Sequence, residues 1–248
     1  MMRKKALITD GTNCIGISFA MKIASLGMDI ILIGTDLSEL KQVKENLNKK
    51  YNVHVAFLIA DLTDYKDIDR VSNKISKIKN IQIVINCTGY CSNKLRGKDN
   101  HKSELENVHA NITAYSNITK AVLPKMINKN SGTIIFVSSQ LAFSPFLKNS
   151  IYSESKDFVN IFAEMLHEKV KESNITIQSL NPGSSKNFFY NDYSFKKSRI
   201  CPQYIFKTNI NEVVECSFQN LGKNLIVIPG WKNKLLMHFK RFVSNVML

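Results

Sequence analysis

The chain has 248 residues, 44% of them apolar and 22% charged. That is enough to bury a full core within one α/β domain, and it excludes a disordered or fibrous chain. The net charge of +14 comes mostly from Lys (29 of the 34 basic residues), dispersed with no Arg-rich stripe, so no nucleic-acid partner is expected.

Short apolar runs recur along the chain, each followed by a helical pattern. The runs are Ala6 to Thr9, Ile30 to Ile33, Val53 to Ile59, Ile81 to Ile85, Thr133 to Val137, Ile175 to Leu180 and Leu225 to Ile228. They are rich in Ile and Val, as strands covered on both faces are. Helices are expected at Ile17 to Leu26, with Gly27 just past the end, and at Asp36 to about Asn48, opened by the capping box Asp36-Leu-Ser-Glu39. Further helices are expected over Lys66 to Ile78, Glu104 to Met126 and Tyr152 to Glu172, while Lys186 to Lys207 reads as an inserted loop or a pair of short helices. The alternation predicts an α/β fold: a Rossmann-type, doubly wound parallel sheet of about seven strands with helices on both faces. One domain is expected over residues 1–248, ending in a basic amphipathic tail, 231–248.

Several chemistries are unsupported. The five cysteines form no CxxC pair and the five histidines no HExxH, so neither a disulfide framework nor a metal site is expected. The run after Met-Met-Arg-Lys-Lys is too short for a signal peptide, and no run reaches the roughly 18 apolar residues of a membrane span. A cytoplasmic protein is therefore expected.

The residues that carry chemistry lie at strand ends. The first run enters Thr9-Asp-Gly-Thr-Asn-Cys-Ile-Gly16 and then a helix. Such a turn aims backbone N–H groups and a helix N-terminus at a diphosphate. Gly34 and Thr35 end the second strand, Asp61-Leu62 the third and Asn86-Cys-Thr-Gly89 the fourth. Tyr152-Ser-Glu-Ser-Lys156 places a phenol and an ammonium on one helix face, where the cation favours the phenolate. A chain this rich in Lys yields about one such pair by chance. The wider spacing carries more weight. Ser139 lies 13 residues before Tyr152, Asn111 lies 41 before it, and Pro182-Gly183 follows the sixth strand.

In that order and at those offsets the residues resemble the short-chain dehydrogenase/reductase family, over nearly the whole chain. Tyr152 to Glu172 and the tail are similar to the bacterial DltE-like reductases, and also to β-ketoacyl-CoA and steroid reductases. The resemblance implies an NAD(P)(H)-dependent oxidoreductase interconverting a carbonyl and a secondary alcohol. Tyr152 would be acid or base. Lys156 would favour its phenolate and bind the nicotinamide ribose, Ser139 would stabilise the alkoxide, and Asn111 would hold a water that links Lys156 to solvent. The cofactor would lie on Gly11, Asn13, Ile15, Gly16, Thr35, Asp61, Leu62, Asn86, Gly89, Tyr152, Lys156, Pro182 and Gly183. No acidic residue ends the second strand, so NADP(H) is favoured over NAD(H).

Two departures from the family pattern stand out. Its glycine motif, TGxxxGxG, aligns its glycines with Asp10, Cys14 and Gly16, so only the third remains, and Gly11 is expected to take over part of the first one's role. Its Thr for the nicotinamide carboxamide is Asn187. These changes leave a second reading open, a non-catalytic relative with impaired cofactor binding that serves as a scaffold or membrane-surface module. The partners expected are a small, lipid-like carbonyl or alcohol, a second copy of the chain, and peripheral membrane contact through 231–248.

Overall fold

The structure is a computed structural model that describes residues 3–90, 101–143, 151–183, 209–231 and 233–234. The Lys186 to Lys207 segment, Asn187 and nearly all of the tail lie outside the described residues.

The chain alternates β1 (Lys5–Ile8), α1 (Cys14–Ser25), β2 (Asp29–Gly34), α2 (Leu37–Lys50), β3 (Val55–Ile59), α3 (Tyr65–Ile75) and β4 (Ile81–Asn86). Then come α4 (His101–Val108), a π-helical segment (His109–Thr113), α5 (Ala114–Asn128), β5 (Gly132–Val137), α6 (Ile151–Val170), β6 (Ile175–Leu180), α7 (Ile210–Gln219) and β7 (Ile226–Val227). The seven strands form one parallel sheet in the order β3-β2-β1-β4-β5-β6-β7. All seven expected strands are present, and the Rossmann-type architecture is as the alternation predicts.

Both faces are covered because the central strands β1, β2, β4 and β5 bury apolar side chains on both sides. Ala6 and Ile8 of β1 pack with Phe19, Ile23, Leu40 and Val213 on the α1–α2–α7 side. Leu7, between them, packs with Val71, Ile118 and Val159 on the α3–α5–α6 side. This is the two-residue alternation of a strand with two buried faces.

The helix ends follow local chemistry. Asp36 caps α2 by accepting from the backbone N–H of Ser38 (2.7 Å) and Glu39 (3.0 Å). These bonds and the Ser38 hydroxyl, the largest influence, hold its carboxyl below the usual range. Gly27 follows α1 at φ +72°, where a side chain would be strained.

The stretch Glu104 to Met126 is helical throughout, as expected, with a wider i+5 turn at His109–Thr113. Asn111, in that turn, is bonded to the chain beyond β4. A single wide turn of this kind commonly marks a functional position.

Candidate active site

The winding direction reverses between β1 and β4, which opens a crevice at their C-terminal ends. Thr9 ends β1 there, fully buried. Its Oγ1 accepts from the backbone N–H of Cys87 (2.9 Å) and Thr88 (3.2 Å) and shares a 2.9 Å bond with the Thr88 hydroxyl. The two strand ends are thus locked together under the crevice.

The turn after Thr9 is built on Asn13. Its Oδ1 caps α1 by accepting from Gly16 N at 2.7 Å, and its Nδ2 donates to Asp10 Oδ2 at 2.7 Å. A Cβ on Gly16 would stand 2.5 Å from the Asp10 carbonyl oxygen and 3.0 Å from Gly11 Cα. Both are backbone atoms, so the turn cannot form around a side chain there. Gly16→Ala should cost about 1–3 kcal/mol of stability and weaken dinucleotide binding, read by urea unfolding and by titration with NADP+.

The expectation for Gly11 is corrected. Its φ is not positive; Asp10 takes the left-handed conformation, at φ +50°. Gly11 is needed for another reason: a Cβ would meet Leu32 Cδ2 at 2.8 Å, against β2. Ile15 lies in the core beneath α1, 1% exposed, so its side chain cannot touch a ligand in the crevice.

A cavity lies over the ends of β1 to β4. Of the expected cofactor residues, Thr35, Asp61, Leu62 and Gly89 line it, together with Asp10, Gly34, Thr63, Thr88 and Tyr90. Asp61 Oδ1 accepts from the Thr63 backbone N–H (2.9 Å) and hydroxyl (2.7 Å). Asp36 is committed to the α2 cap and does not line the cavity. Asn86 is 1% exposed at the end of β4, and neither polar atom of its side chain has a hydrogen-bond partner among the described residues.

Tyr152 and Lys156 lie on the far side of the same crevice. Lys156 is buried, and its Nζ donates to Thr88 O (2.9 Å), Val137 O (3.2 Å) and Tyr115 Oη (3.3 Å). The ammonium lies 5.1 Å from the Tyr115 ring centre and 5.8 Å from that of Tyr152. A Cβ on Gly89 would stand 3.8 Å from Nζ, so the cavity floor and the ammonium adjoin. Ser139 follows β5, next to Ser138, whose hydroxyl donates to Lys156 O at 2.7 Å. The Asn111 carboxamide clasps the Tyr90 backbone: Nδ2 donates to Tyr90 O at 2.8 Å and Oδ1 accepts from Tyr90 N at 3.2 Å. Nδ2 also donates to Asn107 Oδ1. The side chain therefore anchors the β4 loop to the helix.

Beyond β6, Pro182 O accepts from Gln140 N at 3.2 Å, tying that strand end to the Ser139 turn. Gly183 packs on Asn233, whose Nδ2 a Cβ would meet at 2.8 Å.

Sequence reasoning missed Tyr115, Asn107, Thr9 and Thr88. A signal was present, since Asn107, Asn111 and Tyr115 recur every four residues along one helix face. Tyr115 is 1% exposed, with its hydroxyl 2.7 Å from Thr88 O and 2.8 Å from Val137 O. Burial pushes its hydroxyl well above the ordinary phenol range, so it stays protonated and neutral. Burial likewise raises the thiols of Cys14 and Cys87, which argues against a cysteine nucleophile. Tyr115→Phe should cost only about 1 kcal/mol, because Lys156 still donates to both carbonyls; denaturant midpoints would measure it.

No group of three or more metal-ligating side chains occurs among the described residues, and no described helix is long and apolar enough to cross a membrane.

Residues 4–194 match the short chain dehydrogenase family. The chain is 31% identical over 183 residues to the very-long-chain 3-oxoacyl-CoA reductase of Rattus norvegicus, a match covering 71% of this chain and 58% of that protein. It is 29% identical over 183 residues to 17-beta-hydroxysteroid dehydrogenase type 3 of Homo sapiens, covering 73% and 59%. The match thus spans somewhat over half the length of these relatives. Among solved structures, a short-chain dehydrogenase from Sphingobium yanoikuyae in complex with NADPH superimposes with a TM-score of 0.83, covering 98% of this chain and 95% of that one at 23% identity. With the family matched over most of the chain, this protein belongs to the short-chain dehydrogenases.

Proposed function

We propose that the chain, acting as a single domain, is an NAD(P)(H)-dependent oxidoreductase that interconverts a ketone and a secondary alcohol. The observation that carries this reading is the buried Lys156 ammonium, held between the Tyr152 ring and the Gly89 floor of the crevice. A dinucleotide fits the residues present. Gly16 keeps the turn open to a diphosphate, the cavity over β1 to β4 accepts an adenosine half, and Gly89 lets a ligand come close to Lys156. We favour NADP(H), since Gly34 and Thr35 offer no carboxylate to the ribose and Asp36 is committed to capping. The NADPH bound by the Sphingobium protein is consistent with this.

A bound nicotinamide supplies or accepts the hydride. In the reductive direction Tyr152 gives its proton to the carbonyl oxygen. The Ser139 hydroxyl donates a hydrogen bond to the same oxygen as negative charge develops there. Lys156 stabilises the resulting phenolate by its positive charge. Asn111 holds the Tyr90 loop, and with it the wall beside Gly89.

The relatives above act, by their names, on 3-oxoacyl-CoA and on a 17-beta-hydroxysteroid. We therefore place the substrate among bulky, lipid-like ketones, and give this precedence over the DltE-like resemblance. A homo-oligomer is consistent with Ile161 and Met165, exposed one turn apart on α6. Peripheral membrane contact of a cytoplasmic protein through 231–248 is part of the same proposal. Flotation with liposomes should weaken when the chain ends at Gly230.

Asp10 motivates the second reading, a non-catalytic scaffold. Titration with NADPH and NADH, followed by melting temperature, separates the two. Binding of either supports the oxidoreductase, and failure of both at millimolar concentration overturns it. A carbonyl panel then tests turnover.

A further inference from the structure

Asp10 stands at the first glycine position of the phosphate turn and keeps the glycine's left-handed backbone, at φ +50°. Few side chains tolerate that conformation, and Asp is one of them. The side chain is held in place. Oδ2 accepts from Asn13 Nδ2 at 2.7 Å, and Asn13 in turn caps α1 at Gly16. Asp10 lines the cavity over β1 to β4, where it shares a wall with Gly34, Thr35 and Gly89. A carboxylate therefore faces the place where a dinucleotide brings its phosphates.

The groups around it decide its charge. Lys156 approaches from α6 and favours the ionised form; Glu39 on α2 opposes it. Asp61 lines the same cavity from the end of β3, and Cys14 on α1 and the buried Cys87 after β4 stand near as neutral thiols. Burial is the largest influence and raises the carboxyl above its usual range, although the Asn13 bond pulls the other way. A bound diphosphate adds negative charge to the same wall and favours the neutral acid further.

We propose that Asp10 is a specificity-determining residue of the cofactor site that acts as a neutral carboxylic acid, accepting from Asn13 on Oδ2 and donating from Oδ1 to a phosphate or ribose oxygen of the dinucleotide. The inference rests on the oxidoreductase reading above. It makes cofactor uptake proton-linked at any pH where the free protein's Asp10 is ionised: up to one proton comes from solvent on binding and returns on release. Binding holds Asp10 protonated to a higher pH than the free protein does. Affinity is therefore full below the free protein's Asp10 titration and falls as pH rises through it, by up to about tenfold per pH unit until the bound form also ionises.

The test is calorimetric titration of NADP+ and NAD+ into the full chain, Asp10→Asn and Asp10→Gly, from about pH 5.5 to 8.5 in buffers of differing ionisation enthalpy. Asn tolerates the same backbone, donates and accepts, but does not ionise. The Kd ratio of parent to Asp10→Asn cancels titration of the 2′-phosphate itself. That ratio should rise at least about tenfold with pH for both dinucleotides, and the parent should take up as much as one more proton than either variant. A flat ratio, or a loss of NAD+ affinity in Asp10→Asn at every pH, overturns the inference alone; the latter would make the ionised carboxylate an acceptor for ribose hydroxyls. Absence of binding by all three chains overturns the oxidoreductase reading and this inference with it.

Discussion

A Tyr152→Phe variant should lose about two to four powers of ten in kcat while binding NADPH as tightly as the parent. The substitution removes one hydroxyl and keeps the ring, which is 7% exposed and faces the Lys156 ammonium at 5.8 Å. Packing is therefore conserved and the transferable proton is lost. Tyr115 also bonds Lys156, but its hydroxyl lies between two carbonyl oxygens, and burial keeps its proton bound. Steady-state kinetics and a NADPH titration on the same preparation check the claim. A variant that retains more than about a tenth of kcat would remove Tyr152 from the proton path.

Lys156→Met should be damaging twice over. In its buried site the ammonium donates to Thr88 O, Val137 O and Tyr115 Oη. Met fills similar volume and donates nothing. Tyr115 can then satisfy only one of the two carbonyls, since it has one proton. The uncompensated oxygen should cost about 1–3 kcal/mol of stability, read from the urea midpoint. Turnover should fall as well, and the pH optimum should move upward, because the charge that favours the phenolate is gone. Lys156→Arg keeps the charge but not the geometry, so a partial return of the pH profile would separate the electrostatic role from a packing role. An unchanged optimum in Lys156→Met would leave Lys156 a structural residue only.

The legibility of the molecule differs from element to element. All seven strands were readable because each is a short apolar run between helical patterns, and their ends moved by one or two residues at most. The cap at Asp36 and the stop at Gly27 were readable because they depend on local chemistry. Helix α7 was missed. It is ten residues long and follows a polar stretch, and its best signal was the cap at Asn209, which accepts from Asn211 N. The π-helical turn was not readable, because it arises with a tertiary bond from Asn111 to Tyr90, 21 residues away. At the site, the loss of a glycine at Asp10 was plain in the sequence. That Asp10 itself would adopt the left-handed turn, while Gly11 packs against Leu32, shows only in the structure. Tyr115 carried only the four-residue spacing it shares with Asn107 and Asn111, and its role emerged when Thr88, Val137 and Lys156 were placed around it.

The most direct test of the central claim is transfer of deuterium. The full chain would be incubated with NADPH deuterated at the nicotinamide C4 and, in turn, a long-chain 3-oxoacyl-CoA and a bulky steroid ketone. The products would be analysed by mass spectrometry and NMR. The account predicts an alcohol with a single deuterium on the carbinol carbon, formed by the parent and lost in Tyr152→Phe. Tight dinucleotide binding with no labelled alcohol from any ketone in a broad panel would contradict it and leave a cofactor-binding scaffold.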